Sequence, residues 1–169
     1  MKLVIIRHGP AGDRGEWAAR ARDDRLRPLT PDGRKETKWA AAGLAFLVPH
    51  IDVLATSPLV RAAETAAIVA SIYDSEIILL DALVPDQKPD EVVGWLRHQQ
   101  PDHTVALVGH EPHLGILVGY LLTEKRVSFI DLKKGGACLL ELTEPPKPGG
   151  GTLEWLLTRR QLGRFGEAG

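Results

Sequence analysis

Two short stretches, Leu3-Val4-Ile5-Ile6 and Thr104-Val105-Ala106-Leu107-Val108, are apolar almost without interruption and too short to be helices. Runs of this length, rich in β-branched residues and closed by glycine or proline, read as strands buried on both faces. A sheet built from such strands is mainly parallel and has to be covered by helices on each side. The chain should therefore be an α/β protein.

The segments between the two runs supply the expected helices. Thr30-Pro31 reads as an N-cap followed by proline at the first helical position. Ala40, Gly43, Leu44 and Leu47 then recur at helical spacing as far as about Val48, before Pro49. Val53-Leu54-Ala55 is a second short strand, and Ser57-Pro58 predicts the start of an alanine-rich helix reaching about Tyr73. Ile77 to Leu80 is a third strand. After a loop with Pro85 and Pro89, Glu91 to about Gln99 is a helix that turns Val92, Val93 and Leu96 inward. Leu114, Leu117, Val118, Leu121 and Leu122 mark one face of another helix. Ala137 to Leu142 and Leu153 to Leu157 predict a hairpin across Pro145, Pro146 and Gly149-Gly150-Gly151. Residues 10–29 are polar and carry no periodicity, so they are expected to be irregular. The sum is one domain over residues 1–169: a three-layer sandwich with a mainly parallel sheet and an antiparallel edge hairpin at the C-terminal end.

Composition narrows the class of partner. The chain is 44% hydrophobic and 25% charged over 169 residues, which is ordinary globular usage. Its formal net charge is -1 with no long block of like charge, so adhesion to nucleic acid or to an acidic membrane is not expected. Any positive site must be local. The single cysteine, Cys138, lies in an apolar run and reads as a buried small hydrophobe in a reducing compartment. The few apolar residues before Arg7 are too short for a signal-peptide core, so the expectation is a cytoplasmic protein.

Reactive side chains cluster where the strands end. Arg7-His8-Gly9 follows the first run, Arg61 lies early in the helix after the second strand, and Gly109-His110 closes the fourth. In open α/β sheets ligands bind at the carboxyl ends of the strands. If these strands are parallel neighbours, two arginines, two histidines and two helix N-termini converge. Forked cationic donors and helix N-termini favour an anion, with phosphate as the natural occupant.

Four motifs in order carry a resemblance: Arg7-His8-Gly9; Arg27-Pro28-Leu29-Thr30 with Gly33; Ser57-Pro58-Leu59-Val60-Arg61-Ala62 with Glu64-Thr65; and Gly109-His110-Glu111-Pro112. Leu153-Glu154-Trp155-Leu156 extends it nearly to the end. In these the chain resembles the histidine phosphatase superfamily, with its phosphoglycerate mutase-like fold, and within it the short SixA-type phosphohistidine phosphatases. The resemblance implies that His8 takes the phosphoryl group as nucleophile, that Arg7 and Arg61 clamp the phosphoryl oxygens, and that His110 contacts the same oxygens. His8 must be neutral to attack, and the neighbouring arginines would disfavour its protonation. No metal or cofactor is implied, because the arginines neutralise the charge. His110 and His113 lie three apart, but no carboxylate-rich or cysteine-rich partner accompanies them.

The proton donor is unassigned. Larger superfamily members place a glutamate after the third strand, where this chain has Leu80-Asp81-Ala82-Leu83-Val84-Pro85. SixA-type enzymes lack it too. Asp24 is the first candidate, with Asp23 and Asp81 as alternatives, and each is equally readable as a solvated loop carboxylate. Arg27 is a third phosphate contact or a solvated arginine; Glu64 orients Arg61 or lies on the surface. A phosphorylated imidazole leaves with less help than an alkoxide, so the poor acid inventory favours a nitrogen leaving group. The expected substrate is a phosphohistidine on a partner protein, approached through a shallow, open site. The alternatives are a small phosphoester or polyphosphate with the same chemistry, and a phosphate-binding module without turnover. Neither nucleic acid nor membrane is expected as a partner.

Overall fold

The computed structural model describes residues 1–20 and 22–167. In chain order the elements are β1 (Lys2–Arg7), α1 (Arg14–Ala19), α2 (Pro31–Leu47), β2 (Val53–Thr56), α3 (Val60–Tyr73) and β3 (Ile77–Leu79). They continue with α4 (Pro89–Leu96), β4 (Thr104–Gly109), α5 (His113–Thr123), β5 (Ala137–Leu142), β6 (Gly151–Leu157) and α6 (Arg159–Glu167). The six strands form one sheet in the order β3-β2-β4-β1-β5-β6. β1, β2, β3 and β4 pair in parallel, whereas β5 and β6 run antiparallel along the C-terminal edge. This is the mainly parallel α/β sandwich that the doubly apolar runs demand.

Alternation along β1 divides the core into two layers. Leu3 and Ile5 pack with Val105 and Leu107 against Val92, Leu96, Leu114, Leu117 and Leu121 of α4 and α5. Val4 and Ile6 face the other way, with Ala106 and Val108, against residues of α2, α3 and α6 such as Leu44, Ala62 and Leu162. Leu3, Val4, Ile5 and Val105 to Val108 are fully buried. Each large apolar side chain so buried stabilises the fold by roughly 1.5–3 kcal/mol. Among the described residues no helix is long and apolar enough to cross a membrane.

Three local readings change. Residues 10–20 and 22–29 contain α1, a 3₁₀ turn at Asp24–Leu26 and a bridge between Ala11 and Leu29. Side-chain caps hold them: Asp13 accepts from the Glu16 N–H and Asp23 from the Arg25 N–H. Neither α1 nor the turn buries a residue, which is why no periodicity announces them. The helix after β2 begins at Val60, not at Pro58: its N-cap is Leu59, without a side-chain cap bond, and the Ser57 hydroxyl lies before it, in contact with both the Leu59 N–H and His110. Finally, α6 is an additional helix. It buries only Leu162 and Gly163 and so lacks an apolar stripe. It packs on α2 where Gly43 meets the Leu162 carbonyl and Gly163 meets the Trp39 ring, with no room for a Cβ at either glycine.

Candidate active site

The register of the parallel strands sets the site. Arg7 of β1 lies opposite Gly109 of β4, and Thr56 of β2 opposite Val108, so the next residues of all three strands emerge side by side. His8 and His110 stand with ring centroids 5.2 Å apart, tilted by 52°. The His8 backbone N–H bonds to the Gly109 carbonyl at 3.0 Å. Gly9 donates its N–H to Thr65 Oγ1 at 3.0 Å, and the Thr65 hydroxyl donates to the Arg61 carbonyl at 2.8 Å, tying the histidine turn to α3. Gly9 lies against Thr37 Oγ1 without space for a Cβ, which explains the glycine of Arg7-His8-Gly9.

His8 is buried, and its Nδ1 lies 2.7 Å from the Gly9 carbonyl. A carbonyl only accepts, so Nδ1 carries the hydrogen and Nε2 keeps the lone pair. Burial, partly opposed by the Gly9 carbonyl and reinforced by Arg61, Arg7 and Arg27, lowers its pKa to about 3. The imidazole is neutral near pH 7, with burial outweighing the arginine charges. His110 Nε2 lies 2.9 Å from Ser57 Oγ. That oxygen already receives the Leu59 N–H at 3.4 Å, so the serine proton is free to go to Nε2 and leave Nδ1 as the N–H donor. Burial, with His8, Arg61 and His113, lowers the pKa of His110 to about 3.

Arg61 and Arg27 are as buried as the histidines. Arg61 Nη2 pairs with Asp24 Oδ2 at 3.2 Å, and Nη1 donates to the Asp24 carbonyl at 2.9 Å. Arg27 Nε donates to Asp24 Oδ1 at 2.8 Å and Nη1 to the Gly12 carbonyl at 2.7 Å. Arg7 Nη1 donates to the Leu132 carbonyl at 2.8 Å. Arg7, His8, Arg27, Arg61 and His110 line one cavity of about 620 Å³. Within it Arg7 Nε, Arg61 Nε and His110 Nδ1 are buried and have no partner among the described residues. Buried polar groups are almost always hydrogen-bonded. The three unpartnered nitrogens all belong to residues that line this one cavity, a concentration of N–H donors suited to an anion.

The structure therefore brings together His8, Arg7, Arg61, His110, Asp24 and Arg27. Asp23 caps the 3₁₀ turn, and neither Asp23 nor Asp81 reaches the cavity. Asp24 does, yet it is ionised: burial raises its pKa, but the Arg27 hydrogen bond and the charges of Arg61, Arg27 and Arg14 prevail and hold it below the ordinary carboxylate value. In this arrangement it accepts; it does not donate. Glu64 does not orient Arg61; it accepts from the Leu29 N–H at 2.8 Å and pairs with Arg34 at 2.6 Å, fastening the end of the first loop to α3. Arg27 is buried, not solvated.

Sequence reasoning passed over two residues. In the sequence Ser57 reads only as a helix-start signal, and strand register is what sets it facing His110. Glu111 lines the cavity, and burial raises its pKa despite the Gly115 N–H and Arg7. Its Oε2 accepts the Gly115 N–H at 3.2 Å while Oε1 is buried without a partner. Its place beside His110 in Gly109-His110-Glu111-Pro112 was the available signal. Among the described residues no group of three or more His, Cys, Asp or Glu side chains is placed to hold a metal ion. The expected shallow site is instead a walled cavity. Gly12, Asp13, Arg14, Asp24, Arg25 and Arg27 of the first loop line one part of it, and Val84, Pro85 and Asp86 another.

The sequence profile of the histidine phosphatase superfamily (branch 1) matches residues 3–84. An uncharacterized protein of Picosynechococcus sp. is 34% identical over 148 residues, 81% of this chain and 87% of its own. The structure of the protein histidine phosphatase SixA complexed with tungstate superposes with a TM-score of 0.81 at 26% identity, over 96% of this chain and 99% of that one. A mutant phosphoserine phosphatase of Entamoeba histolytica in complex with phosphoserine shares the fold, with a TM-score of 0.72 at 18% identity over 95% of this chain and 98% of its own.

Proposed function

The chain belongs to the histidine phosphatase superfamily, and from that premise we propose that it is a phosphatase working through phospho-His8, with phosphohistidine on a partner protein as its substrate. The observation that carries this reading is the set of buried, unpartnered nitrogens of Arg7, Arg61 and His110 around a neutral His8.

The chemistry follows from the atoms. His8 Nε2 attacks phosphorus while the P–N bond to the substrate imidazole breaks; that imidazole, protonated beforehand from solvent on its other ring nitrogen, leaves as the neutral ring. Water then attacks the phosphohistidine, releasing inorganic phosphate and restoring neutral His8. The phosphoryl group in transit carries its charge on three oxygens and asks for positioning and neutralisation more than covalent help. Arg7 and Arg61 supply forked donors, and His110 a neutral N–H whose direction Ser57 holds. Arg27 reaches the oxygens once Asp24 gives way. The Gly9 carbonyl stabilises the positive imidazolium that forms on His8 as the N–P bond is made. The likeness to the SixA phosphatase supports a nitrogen leaving group.

A second reading keeps the steps and changes the substrate to a small phosphoester. The cavity of about 620 Å³ favours it, since small-molecule sites span roughly 300–1,000 Å³. Turnover of a phosphohistidine protein against sugar phosphates, phosphoserine and polyphosphate separates the two. For the shared chemistry, an acid-labile phosphoryl label should appear on the wild-type chain and vanish in His8→Ala. Unchanged turnover in that variant would refute the mechanism.

A further inference from the structure

Beside the catalytic cavity lies a second hollow of about 410 Å³, and the two share Arg7 and Lys134. Lys133, Thr158, Arg159 and Arg160 complete its lining. Its walls are fastened to the catalytic strand. Gly135 donates its N–H towards the carbonyls of both Arg7 (3.1 Å) and His8 (3.0 Å). It does so at φ 71°, a backbone conformation that favours glycine. Arg159 lies directly over that glycine, donates Nη1 to the Lys134 carbonyl at 3.4 Å and pairs with Glu36 at 2.7 Å. Thr158 and Gln161 cap the start of α6 reciprocally, through the Thr158 N–H to Gln161 Oε1 (2.9 Å) and the Gln161 N–H to Thr158 Oγ1 (3.3 Å).

The positive charge here is only half answered. Lys133 pairs with Asp131 and Arg159 with Glu36, but Lys134 and Arg160 have no ion-pair partner among the described residues. Burial, followed by the charges of Arg7 and Arg27, pushes the Lys134 ammonium below the ordinary lysine value. In a chain whose net charge is -1, this is a local concentration of cations leading to the phosphate cavity.

We propose that this groove docks an acidic stretch of the phosphorylated partner protein, placing carboxylates beside Lys133, Lys134 and Arg160 while the phosphoryl group enters the cavity next door. The inference rests on the phosphohistidine reading and names what its partner must carry. A protein surface fits better than a second phosphate of a small substrate. Lys133, Lys134 and Arg160 are exposed, and a small anion gains little from solvated cations. An acidic surface meets several at once and is steered by their summed field.

The test uses the full chain and two peptides chemically phosphorylated on a central histidine, one flanked by glutamates and one by serines. Wild type should hydrolyse the acidic peptide about tenfold faster in kcat/KM at low ionic strength, and the preference should collapse near about 0.5 M salt. Lys133→Glu with Arg160→Glu should abolish the preference, mostly through KM. Its turnover of p-nitrophenyl phosphate should stay within about twofold of wild type, because neither residue lines the catalytic cavity. Equal hydrolysis of both peptides by wild type, or a preference that survives in the variant, overturns the docking inference alone. Hydrolysis of neither peptide, with p-nitrophenyl phosphate still turned over, overturns the phosphohistidine reading and the inference with it.

Discussion

Asp24 occupies both terminal nitrogens of Arg61, its carboxylate 3.2 Å from Nη2 and its main-chain carbonyl 2.9 Å from Nη1. The same carboxylate holds Arg27 Nε at 2.8 Å. Two arginines of the cavity are thus engaged by the chain's own carboxylate, carried on the first loop.

A phosphoryl group has to compete with that carboxylate for the guanidinium forks. Asp24→Asn keeps the shape and removes the charge, so inorganic phosphate or tungstate should bind about tenfold tighter, a gain of about 1.4 kcal/mol. Isothermal titration calorimetry checks this. Unchanged or weaker binding would mean that Asp24 preorganises the arginines and does not compete.

Ser57 is expected to act through His110. Ser57→Ala removes the group that holds Nε2, and misplacing a contact of this kind lowers rate by up to about a hundredfold. Ser57→Thr, which keeps a hydroxyl, should recover most of kcat/KM. The decisive readout is the ¹⁵N spectrum of His110: Nδ1 should carry the hydrogen in wild type and lose that preference in Ser57→Ala. If activity falls with the tautomer unchanged, Ser57 has a packing role only.

Acid should weaken the fold through the two site histidines. Both have folded-state pKa values of about 3, below the 6.5 of an unperturbed imidazole. Between these values the unfolded chain binds protons that the folded chain refuses. Stability present above pH 6.5 is therefore lost as the pH falls towards 3. Urea denaturation across this range should show His8→Asn losing less stability on acidification than wild type, with a slope smaller by up to one proton. Parallel curves would show that His8 is not protected from protonation.

The contact between α2 and α6 is the place to test the C-terminal helix. Gly43→Val drives a side chain into the Leu162 carbonyl. Overpacking of this kind costs about 1–3 kcal/mol, and chemical denaturation followed by tryptophan fluorescence should show it. Wild-type stability in the variant would mean that α6 does not pack on α2.

Much of the molecule was legible in the sequence for a physical reason: its cues are local. Leu3 to Ile6 and Thr104 to Val108 are apolar on both faces because helices cover both, so the layered sheet is written into the runs themselves. Thr30 does accept the Gly33 N–H as a helix cap. His8, Arg7, Arg61 and His110 sit at strand ends and a helix start, positions that strand and cap signals locate without coordinates. Tertiary structure alone decided what those residues touch. Strand register set Ser57 beside His110, folding of the first loop laid Asp24 across Arg61, and the α2–α6 contact gave α6 a surface its single buried leucine could not announce. Contacts between residues dozens of positions apart depend on how elements pack, and a linear pattern records only which face each element must bury.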